Sequence, residues 1–446
     1  MTVIGIDDTD SRERGMCTTF VAASLADAVE AAGGRVERRL LVRLNPAVEH
    51  KTRGNAALAV HADVDPDRAL ALAREHLAMA ETADPETNPG VVVAPGDPAD
   101  PGAVPDSVAD FARAAVRDYH AVADAVALAE EVGFRTAHAG EGRGRIGALA
   151  AVGAWRAFDD WTYECISYRE RDRWGTERAV DRESVFAAAE AAYPDAWDTV
   201  DRGEGYPVCV PRTPCPILHG IRGDDPDAVR AVADAIEGEP VARRALFVTN
   251  QGTDAHLQSA DGVADLRDGR AYRVDGTVVS PPETREGGHV FFELADRDAA
   301  TATGDAGGAV ANGGRNGGGS AVECAAFEPT KRFRDRVRGL RVGDRLTVCG
   351  EVSDGTLKLE KFAVRDPVTT ERVTPDCPDC GRSMSSAGAD QGYRCRDCGT
   401  SADGKVERAV ARDLERGWYE VPPCARRHVA KPLVRGEFDG PTHVER

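Results

Sequence analysis

Hydrophobic and polar positions alternate along the first part of the chain as they do in proteins built of strands and helices. Short apolar runs occur at residues 2–6, 36–44, 56–63 and 161–168, while Val21, Leu25 and Val29 recur at helical spacing before Gly33 and Gly34. Short runs between polar turns are typical of buried strands, and a spacing of three or four residues is typical of amphipathic helices. The pattern predicts a multidomain α/β (α+β) region over residues 1–255.

The pattern changes after about residue 268, where short alternating segments follow one another without a long helix. These segments include AYRVDGTVVS, HVFFEL, DRLTVCGEV and TLKLEKFAV. Such spacing is typical of a small β-barrel, which we place at residues 268–370. The Gly/Asn-rich stretch at 301–320 is predicted to be a disordered loop inside it, and residues 371–446 to form a further small domain and a C-terminal tail.

Four cysteines in the last region have the spacing of a metal site. Cys377 and Cys380 form one C-x2-C pair, and Cys395 and Cys398 form a second after a short spacer. Four thiolates in paired knuckles bind Zn2+ tetrahedrally and leave no open position, so the predicted zinc ribbon is structural. The alternative, two disulfides, is less typical of a cytosolic chain.

A basic segment lies between the barrel strands and suggests a nucleic-acid surface. Lys331, Arg332, Arg334 and Arg336 surround Phe333, an aromatic residue that could stack on an unpaired base. The alternative is a solvated loop or helix face. The neighbouring barrel and ribbon favour binding of single-stranded nucleic acid.

Acidic residues follow the first predicted strand directly. Asp7, Asp8 and Asp10 crowd this turn, and Thr18 opens the next helix, whose free N–H groups favour a phosphate. Carboxylates suit Mg2+ that bridges nucleotide phosphates. The alternative is a turn whose Asp and Ser residues only cap the helix.

A second candidate phosphate site is a glycine-rich loop between a predicted strand and helix. It contains Gly140, Gly142, Arg143, Gly144 and Arg145. The sequence matches G-x-G-x-x-G, but a lone match is a weak sign of a Rossmann fold. Two arginines in the loop fit a triphosphate better than a pyrophosphate that is bound only by the backbone. Lys51 and Arg53, after another strand, add two more cations.

Two polar groups occur where a fold alone does not require them. Glu164 lies on an otherwise apolar strand, and Asp254 lies in the polar run TNQGTDAH at 249–256. Both are candidates to bind a cationic substrate through charge-assisted hydrogen bonds. A capping turn and an edge-strand charge are the alternatives.

The net charge of −19 would ordinarily exclude a polyanionic partner, but the kind of acidity makes that inference unsafe. The chain has 56 basic residues, of which only 6 are lysines, against 75 acidic ones, a balance typical of proteins that stay soluble in concentrated salt. Residues 331–446 hold 23 basic and 19 acidic side chains, so their net charge is +4 and that of residues 1–330 is −23. The C-terminal quarter is therefore the part suited to approach nucleic acid.

Several motifs together resemble one family over essentially the whole chain. They are GIDDTDSRERGMCTT at 5–19, LNPAVEHKTRGNAA at 44–57, GEGRGRIGALAA at 140–151, YECISYR at 163–169, CPILHGIRG at 215–223, TNQGTDAH at 249–256 and the barrel with its ribbon. This order is similar to that of the archaeal tRNA-isoleucine 2-agmatinylcytidine synthetase (TiaS) family. The sequence departs from the family pattern in the Gly-rich insertion and at Glu49 and His50.

The resemblance implies an ATP-dependent ligase with a kinase-like domain and a ferredoxin-like domain interleaved over 1–255, then an OB-fold and a zinc ribbon. Such an enzyme joins agmatine to C2 of the wobble cytidine of the isoleucine tRNA with anticodon CAU, so that the tRNA decodes AUA. It phosphorylates the cytosine O2, converts ATP to AMP and phosphates, and autophosphorylates a threonine that matches Thr18. Asp7, Asp8 and Asp10 would be catalytic, with Asp7 and Asp8 on Mg2+, and the glycine loop with Lys51 and Arg53 would bind ATP.

Two other functional classes remain open on the residues alone. One is a single-stranded nucleic-acid binding protein with a non-catalytic N-terminal scaffold, and the other is a small-molecule kinase. A scaffold needs neither the aspartate cluster nor the arginine-bearing loop, and a small-molecule kinase does not need residues 270–446. No apolar run approaches the roughly 20 residues of a spanning helix, and no leader is apparent, so we expect a cytoplasmic protein without membrane contact. The sequence does not indicate the oligomeric state.

Overall fold

The computed structural model describes residues 1–11, 16–49, 54–296 and 320–446. Lys51 and Arg53 lie outside the described residues, and so does the Gly-rich stretch predicted at 301–320 except for its last residue.

A mixed sheet of nine strands forms the N-terminal part of the molecule, in the order β5-β4-β1-β3-β2-β9-β6-β8-β7. Its strands are β1 (Thr2–Asp7), β2 (Arg35–Arg43), β3 (Ala56–Asp63), β4 (Gly90–Pro95), β5 (Arg135–His138), β6 (Thr162–Arg169), β7 (Ala196–Trp197), β8 (Ile217–Gly223) and β9 (Val241–Thr249). Its helices are α1 (Thr18–Ala31), α2 (Pro66–Leu77), α3 (Asp106–Ala115), α4 (Val122–Glu131), α5 (Arg145–Ala157), α6 (Arg182–Ala191) and α7 (Pro226–Ala235). The α/β prediction for this region is confirmed.

Alternation along the central strands gives this sheet two apolar faces. Ile4 and Ile6 of β1 pack on the side of α1 and α2, whereas Val3 packs on the side of α3, α4 and α5. Successive strand residues point to opposite faces, so a strand buried on both sides reads as a continuous apolar run. This burial explains the unbroken runs in β1 and β4.

Helix α5 lies unusually close to the sheet because small residues line both surfaces. A Cβ on Gly5 of β1 would lie 2.1 Å from the carbonyl oxygen of Ala148. The helix sequence RIGALAAVGAWRA offers mostly small side chains on its buried face. The close contact fixes the N-terminus of α5, and with it the glycine loop, against the end of β1.

The second half of the sheet joins the first through β9, which pairs with both β2 and β6. Strand β6 also pairs with β8, and α6 and α7 cover one face of this half. The N-terminal region is thus one continuous sheet and not two separate ones.

The predicted barrel is also confirmed, because its strands pair in a closed circuit. Strand β11 pairs with β13 and β15, β13 with β14, β14 with β16, and β16 with β15. The elements are β10 (Leu257–Ser259), β11 (Arg270–Val278), β12 (Glu283–Thr284), β13 (Val290–Ala295), β14 (Ala321–Ala326), α8 (Phe333–Arg338), β15 (Arg345–Ser353) and β16 (Thr356–Asp366).

The chain then forms the small ribbon and returns to the barrel. The last strands are β17 (Thr370–Val373), β18 (Ser385–Ser386), β19 (Tyr393–Arg394), β20 (Ser401–Ala402), β21 (Val406–Ala409), β22 (Gly417–Glu420) and β23 (Thr442–His443). Strand β17 pairs with β21 at the base of the ribbon, and β22 pairs with β16 of the barrel. Residues after β22 therefore run back over the sheet and barrel, where the sequence predicted only a tail.

Candidate active site

The aspartates that follow β1 are held against the N-terminus of α1. The carboxylate of Asp10 accepts hydrogen bonds from the Thr18 backbone N–H at 2.6 Å and from its hydroxyl at 3.1 Å. The Thr9 hydroxyl also contacts the Thr18 hydroxyl, at 3.1 Å. Asp8 has a φ of 58°, a left-handed conformation that aspartate tolerates better than most residues. The turn thus places Asp10 on Thr18 and leaves Asp7 and Asp8 facing the glycine loop.

Asp7 and Asp8 are costly to ionise where they lie. Burial, together with the neighbouring carboxylate of Asp8, raises the pKa of Asp7 well above its usual range. Burial also raises the pKa of Asp8, although Arg143, whose guanidinium lies 3.2 Å from the Asp8 carboxylate, lowers it. Crowded, buried carboxylates of this kind are typical of sites that bind a cation or transfer protons.

The glycine loop approaches the aspartates directly. A Cβ on Gly147 would lie 2.0 Å from a carboxylate oxygen of Asp7, so only glycine fits there. Asn88 holds the loop, because its side-chain oxygen accepts from the Glu141 N–H at 2.9 Å and its carbonyl accepts from the Gly144 N–H at 2.9 Å. The loop and β1 therefore form two walls of one site.

The aspartates and the loop enclose a cavity that we call the aspartate cavity, of about 140 Å³. Its walls include two of the predicted loop residues, Arg143 and Gly144. The full set of lining residues is Asp7, Asp8, Asp10, Thr18, Leu44, Val48, Gly54, Asn55, Ala56, Ala115, Asp118, Tyr119, His120, Arg143, Gly144, Ile146 and Gly147.

Other loop residues predicted to bind ATP do not line this cavity. The guanidinium of Arg145 folds back on the carbonyl oxygens of Gly142 and Glu141. Gly140 and Gly142 shape the turn in left-handed conformations, with φ of 57° and 65°. Sequence reasoning missed the apolar and aromatic wall formed by Leu44, Tyr119 and their neighbours, because these residues come from separate elements and carry no motif.

A second, larger cavity of about 590 Å³ lies between the sheet and the barrel, and we call it the sheet–barrel cavity. It shares Asp10, Thr18, Gly54 and Ala56 with the aspartate cavity, so the two spaces meet at Thr18. Its other walls are Cys17, Thr19, Arg43, Leu58, Glu164, Tyr206, Val208, Cys209, Val210, Pro211, Arg212, Thr213, Cys215, Ile217, Gly220, Arg222, Glu328, Pro329, Lys331, Pro423, Cys424, Arg426 and His428. The sheet, the barrel and the C-terminal segment each contribute to it.

Glu164 lies in this second cavity, as a carboxylate with no cation paired to it within the described part of the chain. One of its oxygens accepts a hydrogen bond of 2.5 Å from the Gln251 amide, whose own oxygen accepts from Arg43 at 3.3 Å. The other lies over Gly220, where a Cβ would come within 2.6 Å. The strand β8 therefore makes room for a fixed, buried carboxylate that faces the cavity.

Asp254, the other candidate for a cation, lies elsewhere. Its carboxylate binds the buried Lys361 ammonium at 2.7 and 2.8 Å and the Lys431 N–H at 2.6 Å. It lines neither of the two cavities. His256, from the same polar run, is fully buried against Glu360 at 2.9 Å. The structure uses this run to join the barrel to the sheet.

The basic segment at 331–336 needs one correction. The side chain of Phe333 is fully buried in the barrel core against Phe362, so it cannot stack on a base. Phe333 and Val337 are spaced by one helical turn on α8, and the apolar face of an amphipathic helix packs inward. The expectation of stacking was wrong because this spacing was not given enough weight.

Most cations of the segment already have partners within the protein. Arg332 binds Asp201 at 2.9 Å and Glu445 at 2.5 Å, which ties the barrel to the sheet and the C-terminus. Arg334 donates to the Gly288 carbonyl at 2.7 Å. Arg336 lies over the Tyr419 ring at 5.7 Å, and Lys331 pairs with Glu328 at 3.4 Å while lining the sheet–barrel cavity. Lys331 is thus the member placed at the cavity itself.

The four cysteines of the ribbon converge as their spacing predicts. The sulfurs of Cys377, Cys380, Cys395 and Cys398 all lie within 4.8 Å of one another. Four thiolates at this separation fit one tetrahedral Zn2+. No other cluster of three or more metal-binding side chains as tight as this occurs among the described residues, the aspartates after β1 included.

None of the helices in the described ranges has the length and apolar character needed to cross a bilayer.

Comparison with known proteins gives the same family in each region of the chain. The TiaS TCKD domain matches residues 3–63, the TiaS FLD domain matches residues 142–256, and the TiaS C-terminal zinc ribbon domain matches residues 374–414. TiaS of Haloquadratum walsbyi, the 2-agmatinylcytidine synthetase of the second isoleucine tRNA, is 55% identical, over 100% of both chains.

Solved structures match along the whole length as well. A crystal structure of TiaS in complex with this isoleucine tRNA and ATP is 39% identical with a TM-score of 0.85, covering 100% of this chain and 99% of that chain. A complex of TiaS with the same tRNA, AMPCPP and agmatine is 37% identical with a TM-score of 0.83 and the same coverage. With full-length identity of this level and domain models at both ends, the chain belongs to the TiaS family of isoleucine-tRNA 2-agmatinylcytidine synthetases.

Proposed function

We propose that this protein joins agmatine to C2 of the wobble cytidine in the CAU-anticodon isoleucine tRNA, in a reaction that uses ATP. The observation that carries the proposal is the meeting of two cavities at Thr18, one lined by aspartates and a glycine loop, the other by a buried unpaired carboxylate. A transfer reaction with three substrates needs such an arrangement, because the phosphate donor and the cationic nucleophile must reach one base from different sides. The family's crystallised complexes with tRNA, nucleotide and agmatine support it.

ATP would occupy the aspartate cavity, with its phosphates directed at the N-terminus of α1. Arg143, Gly144 and the helix N–H groups offer hydrogen bonds to phosphate oxygens. Lys51 and Arg53 stay predictions for the same role. The region over residues 3–63 and its glycine loop would act as the kinase-like part, and the region over 142–256 as the ferredoxin-like part.

Asp7 and Asp8 fit Mg2+ better than Asp10 does. Mg2+ commonly binds to one or two carboxylates and to substrate phosphates, and it retains several waters. Asp10 already accepts two hydrogen bonds from Thr18, which orients that hydroxyl in the way that autophosphorylation would require. Bound Mg2+ would supply charge neutralisation at the phosphates. It would also stabilise the ionised forms of Asp7 and Asp8, which burial disfavours.

The chemistry follows from the weakness of an oxygen leaving group. Phosphorylation of the cytosine O2 turns it into a phosphate ester oxygen, which leaves readily when an amine attacks C2. Residues of this chain contribute by holding the three substrates in line and by compensating phosphate charge. Thr18, one of the residues shared by the two described cavities, lies where the phosphoryl group must pass.

Agmatine would bind beside Glu164. It carries two positive charges at neutral pH, and Glu164 is an ionisable group of the sheet–barrel cavity that is buried without a paired cation among the described residues. Asp254 is already neutralised by Lys361, so it is a poorer candidate than the sequence suggested.

The tRNA would contact the barrel and the ribbon, and insert its wobble base into the sheet–barrel cavity. Removing a base from a single-stranded anticodon loop costs less free energy than removing one from a duplex. Lys331, Glu328 and the C-terminal segment form the barrel side of that opening. The barrel would be of the OB type, and the protein would act in the cytoplasm, where its tRNA substrate is.

The direct test incubates the purified protein with ATP, Mg2+, radiolabelled agmatine and CAU-anticodon isoleucine tRNA in concentrated KCl. The label should enter the tRNA only when ATP is present. Asp8→Ala should abolish ATP use while tRNA binding persists, and Asp227→Ala, at an exposed carboxylate of α7, is the matched control. Absence of label on the tRNA with folded wild-type protein would refute the proposal.

A further inference from the structure

Arg222 is a buried arginine that has no ionic partner within the described part of the chain. It lies on β8 opposite Glu164 of β6 and Trp197 of β7, and only 5% of the residue is exposed. Its guanidinium carbon lies 5.9 Å from the centre of the Trp197 ring, and its side chain makes no hydrogen bond or ion pair within the described ranges. Buried arginines are ordinarily paired with carboxylates, so an unpaired one that lines a cavity indicates an anionic ligand.

Arg43 of β2 provides a second incompletely paired guanidinium in the same cavity. Its only side-chain hydrogen bond among the described residues is to the neutral amide of Gln251 at 3.3 Å, and its buried Nε has no partner there. Burial lowers the pKa of Arg43 to about 10; the Glu164 carboxylate opposes this shift, and the nearby Arg222 adds to it. Glu164 therefore offsets part of the repulsion between the two guanidiniums, and an anion bound between them would offset the rest.

His428 of the C-terminal segment shows how positive this part of the cavity is. The Arg43 guanidinium, the depth of the site and Arg222 hold the pKa of His428 well below its usual range, so the ring is neutral. The ring also marks the position of the cluster. A Cβ on Gly54, a residue shared by both cavities, would lie 2.7 Å from Arg43 Nη1 and 3.7 Å from His428 Cδ2. Arg43 is therefore close to a residue that both cavities share, and Arg222 lines the larger of the two.

We infer that Arg43 and Arg222 bind the phosphoryl group while the wobble cytosine carries it, and hold it as it leaves. This role rests on the proposed function. In the first step a phosphorus–oxygen bond of ATP breaks, its electron pair stays with the remaining nucleotide, and the phosphorus bonds to O2. In the second step the amine nitrogen, after loss of its ammonium proton to water, bonds to C2. The C2–O2 bond then breaks, and its electron pair leaves with inorganic phosphate.

The position of the arginines favours this phosphoryl group over a phosphate of the tRNA backbone. Arg222 lies on the sheet side of the cavity together with Arg43, which contacts the shared residue Gly54, while the barrel side of the opening holds Lys331. The transferred phosphoryl group carries two negative charges, which the two guanidiniums match. Glu164 faces the same cavity but makes no ion pair with either arginine, so it can still bind the cationic nucleophile while the arginines bind the leaving group.

The first test measures the single-turnover rate of agmatine attachment by the full-length wild type, Arg222→Met and Arg222→Lys. The control is Arg230→Met, at an exposed arginine of α7. We expect Arg222→Met to slow attachment by about 100-fold, the usual loss when one donor to a developing anion is removed. Arg222→Lys should recover part of the rate because it keeps the charge but not the planar fork. Arg230→Met should match the wild type.

Binding of tRNA without ATP separates the two sources of phosphate. The dissociation constant for tRNA should be the same for the wild type and Arg222→Met, since the phosphoryl group is absent at that stage. If Arg222→Met lost tRNA affinity as much as it lost rate, Arg222 would be assigned to the tRNA backbone and the inference would be overturned. A full rate of attachment in Arg222→Met would also overturn it.

A second test needs neither tRNA nor agmatine, so its outcome does not depend on the proposed function. Inorganic phosphate is added to protein with labelled histidine rings, and the His428 resonance, assigned with His428→Gln, is titrated with pH. Phosphate bound between the arginines should shift this titration to higher pH in the wild type and not in Arg222→Met. The charged groups that line the cavity together with this ring are Asp10, Arg43, Glu164, Arg212, Arg222, Glu328, Lys331 and Arg426, and of these Arg43 and Arg222 lower the pKa of His428. An unchanged titration in the wild type would contradict the inference.

Discussion

Single residues in this protein show which sequence signals report function and which report packing. Asp7, Asp8 and Thr18 are predicted from an acidic turn at a helix N-terminus, and all three line one of the two connected cavities. Glu164 and Asp254 are predicted because they are polar where a fold does not need polarity, but only Glu164 lines a cavity. Phe333 was singled out because it lies among arginines, yet its helical spacing places it in the barrel core. Glu164 and Arg222 are buried charged side chains that line a cavity without an ion pair among the described residues, and sequence does not show this property.

Asp7 provides a test of how much folding stability the buried aspartate cluster costs the protein. Its folded-state pKa is raised, so the folded protein keeps a proton that the unfolded chain loses. Stability therefore falls as pH rises from the ordinary carboxyl range through the folded-state pKa. Asp7→Asn should remove this part of the pH dependence, raise the thermal midpoint of the nucleotide-free protein at neutral pH, and abolish ATP use.

Thermal unfolding of the wild type and of Asp7→Asn is measured from the pH at which ordinary carboxyl groups titrate up to neutral pH. The difference between their thermal midpoints is then plotted against pH. A variant that is less stable than the wild type at neutral pH, without ATP or Mg2+, would show that Asp7 is a structural residue.

Glu164 and Asp254 form a matched pair of carboxylates with different expected roles. Glu164→Gln should raise the KM for agmatine and leave tRNA binding unchanged, because it removes a charge that faces the cavity. Asp254→Asn should leave that KM unchanged but destabilise the fold by about 3 kcal/mol, since it leaves the buried Lys361 ammonium without its carboxylate. Steady-state kinetics and denaturant unfolding measure the two effects. The assignment fails if Asp254→Asn is the variant with the weaker agmatine binding.

Secondary-structure elements were the most predictable level of the fold. Strands β1 and β3 and helix α1 lie within a few residues of their predicted positions, because continuous apolar runs and helical periodicity report burial directly. The order of the strands was not predictable, since β9 joins β2 only through contacts distant in sequence. The return of the chain after the ribbon was also missed. Residues 423–428, which line the sheet–barrel cavity, have no periodic pattern and gain their position from ion pairs such as Arg426 with Asp198.

The zinc ribbon gives a prediction at the level of an element. Cys395→Ser should release zinc and unfold the ribbon, because a small domain with few buried apolar residues depends on its metal. The affinity for tRNA should fall, while ATP and agmatine, bound in cavities to which the ribbon contributes no described residue, should bind as before.

Metal release followed with a coloured chelator and filter binding of tRNA measure the two consequences for the ribbon. Asp390→Asn, at an exposed ribbon residue, is the control. Unchanged tRNA affinity in a zinc-free protein would remove the ribbon from the binding surface.

The whole molecule explains why its net charge of −19 was a poor guide to its partners. The acidic excess belongs to residues 1–330, net −23, yet two incompletely paired arginines lie inside that region, at the cavity. The surface charge fits a chain related to a protein of Haloquadratum walsbyi, and it is separate from the charge of the site. In concentrated salt, counterion release contributes little to tRNA affinity, so we expect recognition to depend on shape and hydrogen bonds.

The central claim is that the two cavities meeting at Thr18 carry out phosphorylation of a cytosine oxygen followed by its displacement by agmatine. The most direct measurement uses isoleucine tRNA with a heavy-oxygen label at O2 of the wobble cytidine. After reaction with ATP and agmatine, mass spectrometry should find the label in the released inorganic phosphate and a modified nucleoside that has lost it. Unlabelled phosphate, with the heavy oxygen retained in the modified nucleoside or found in water, would contradict the account.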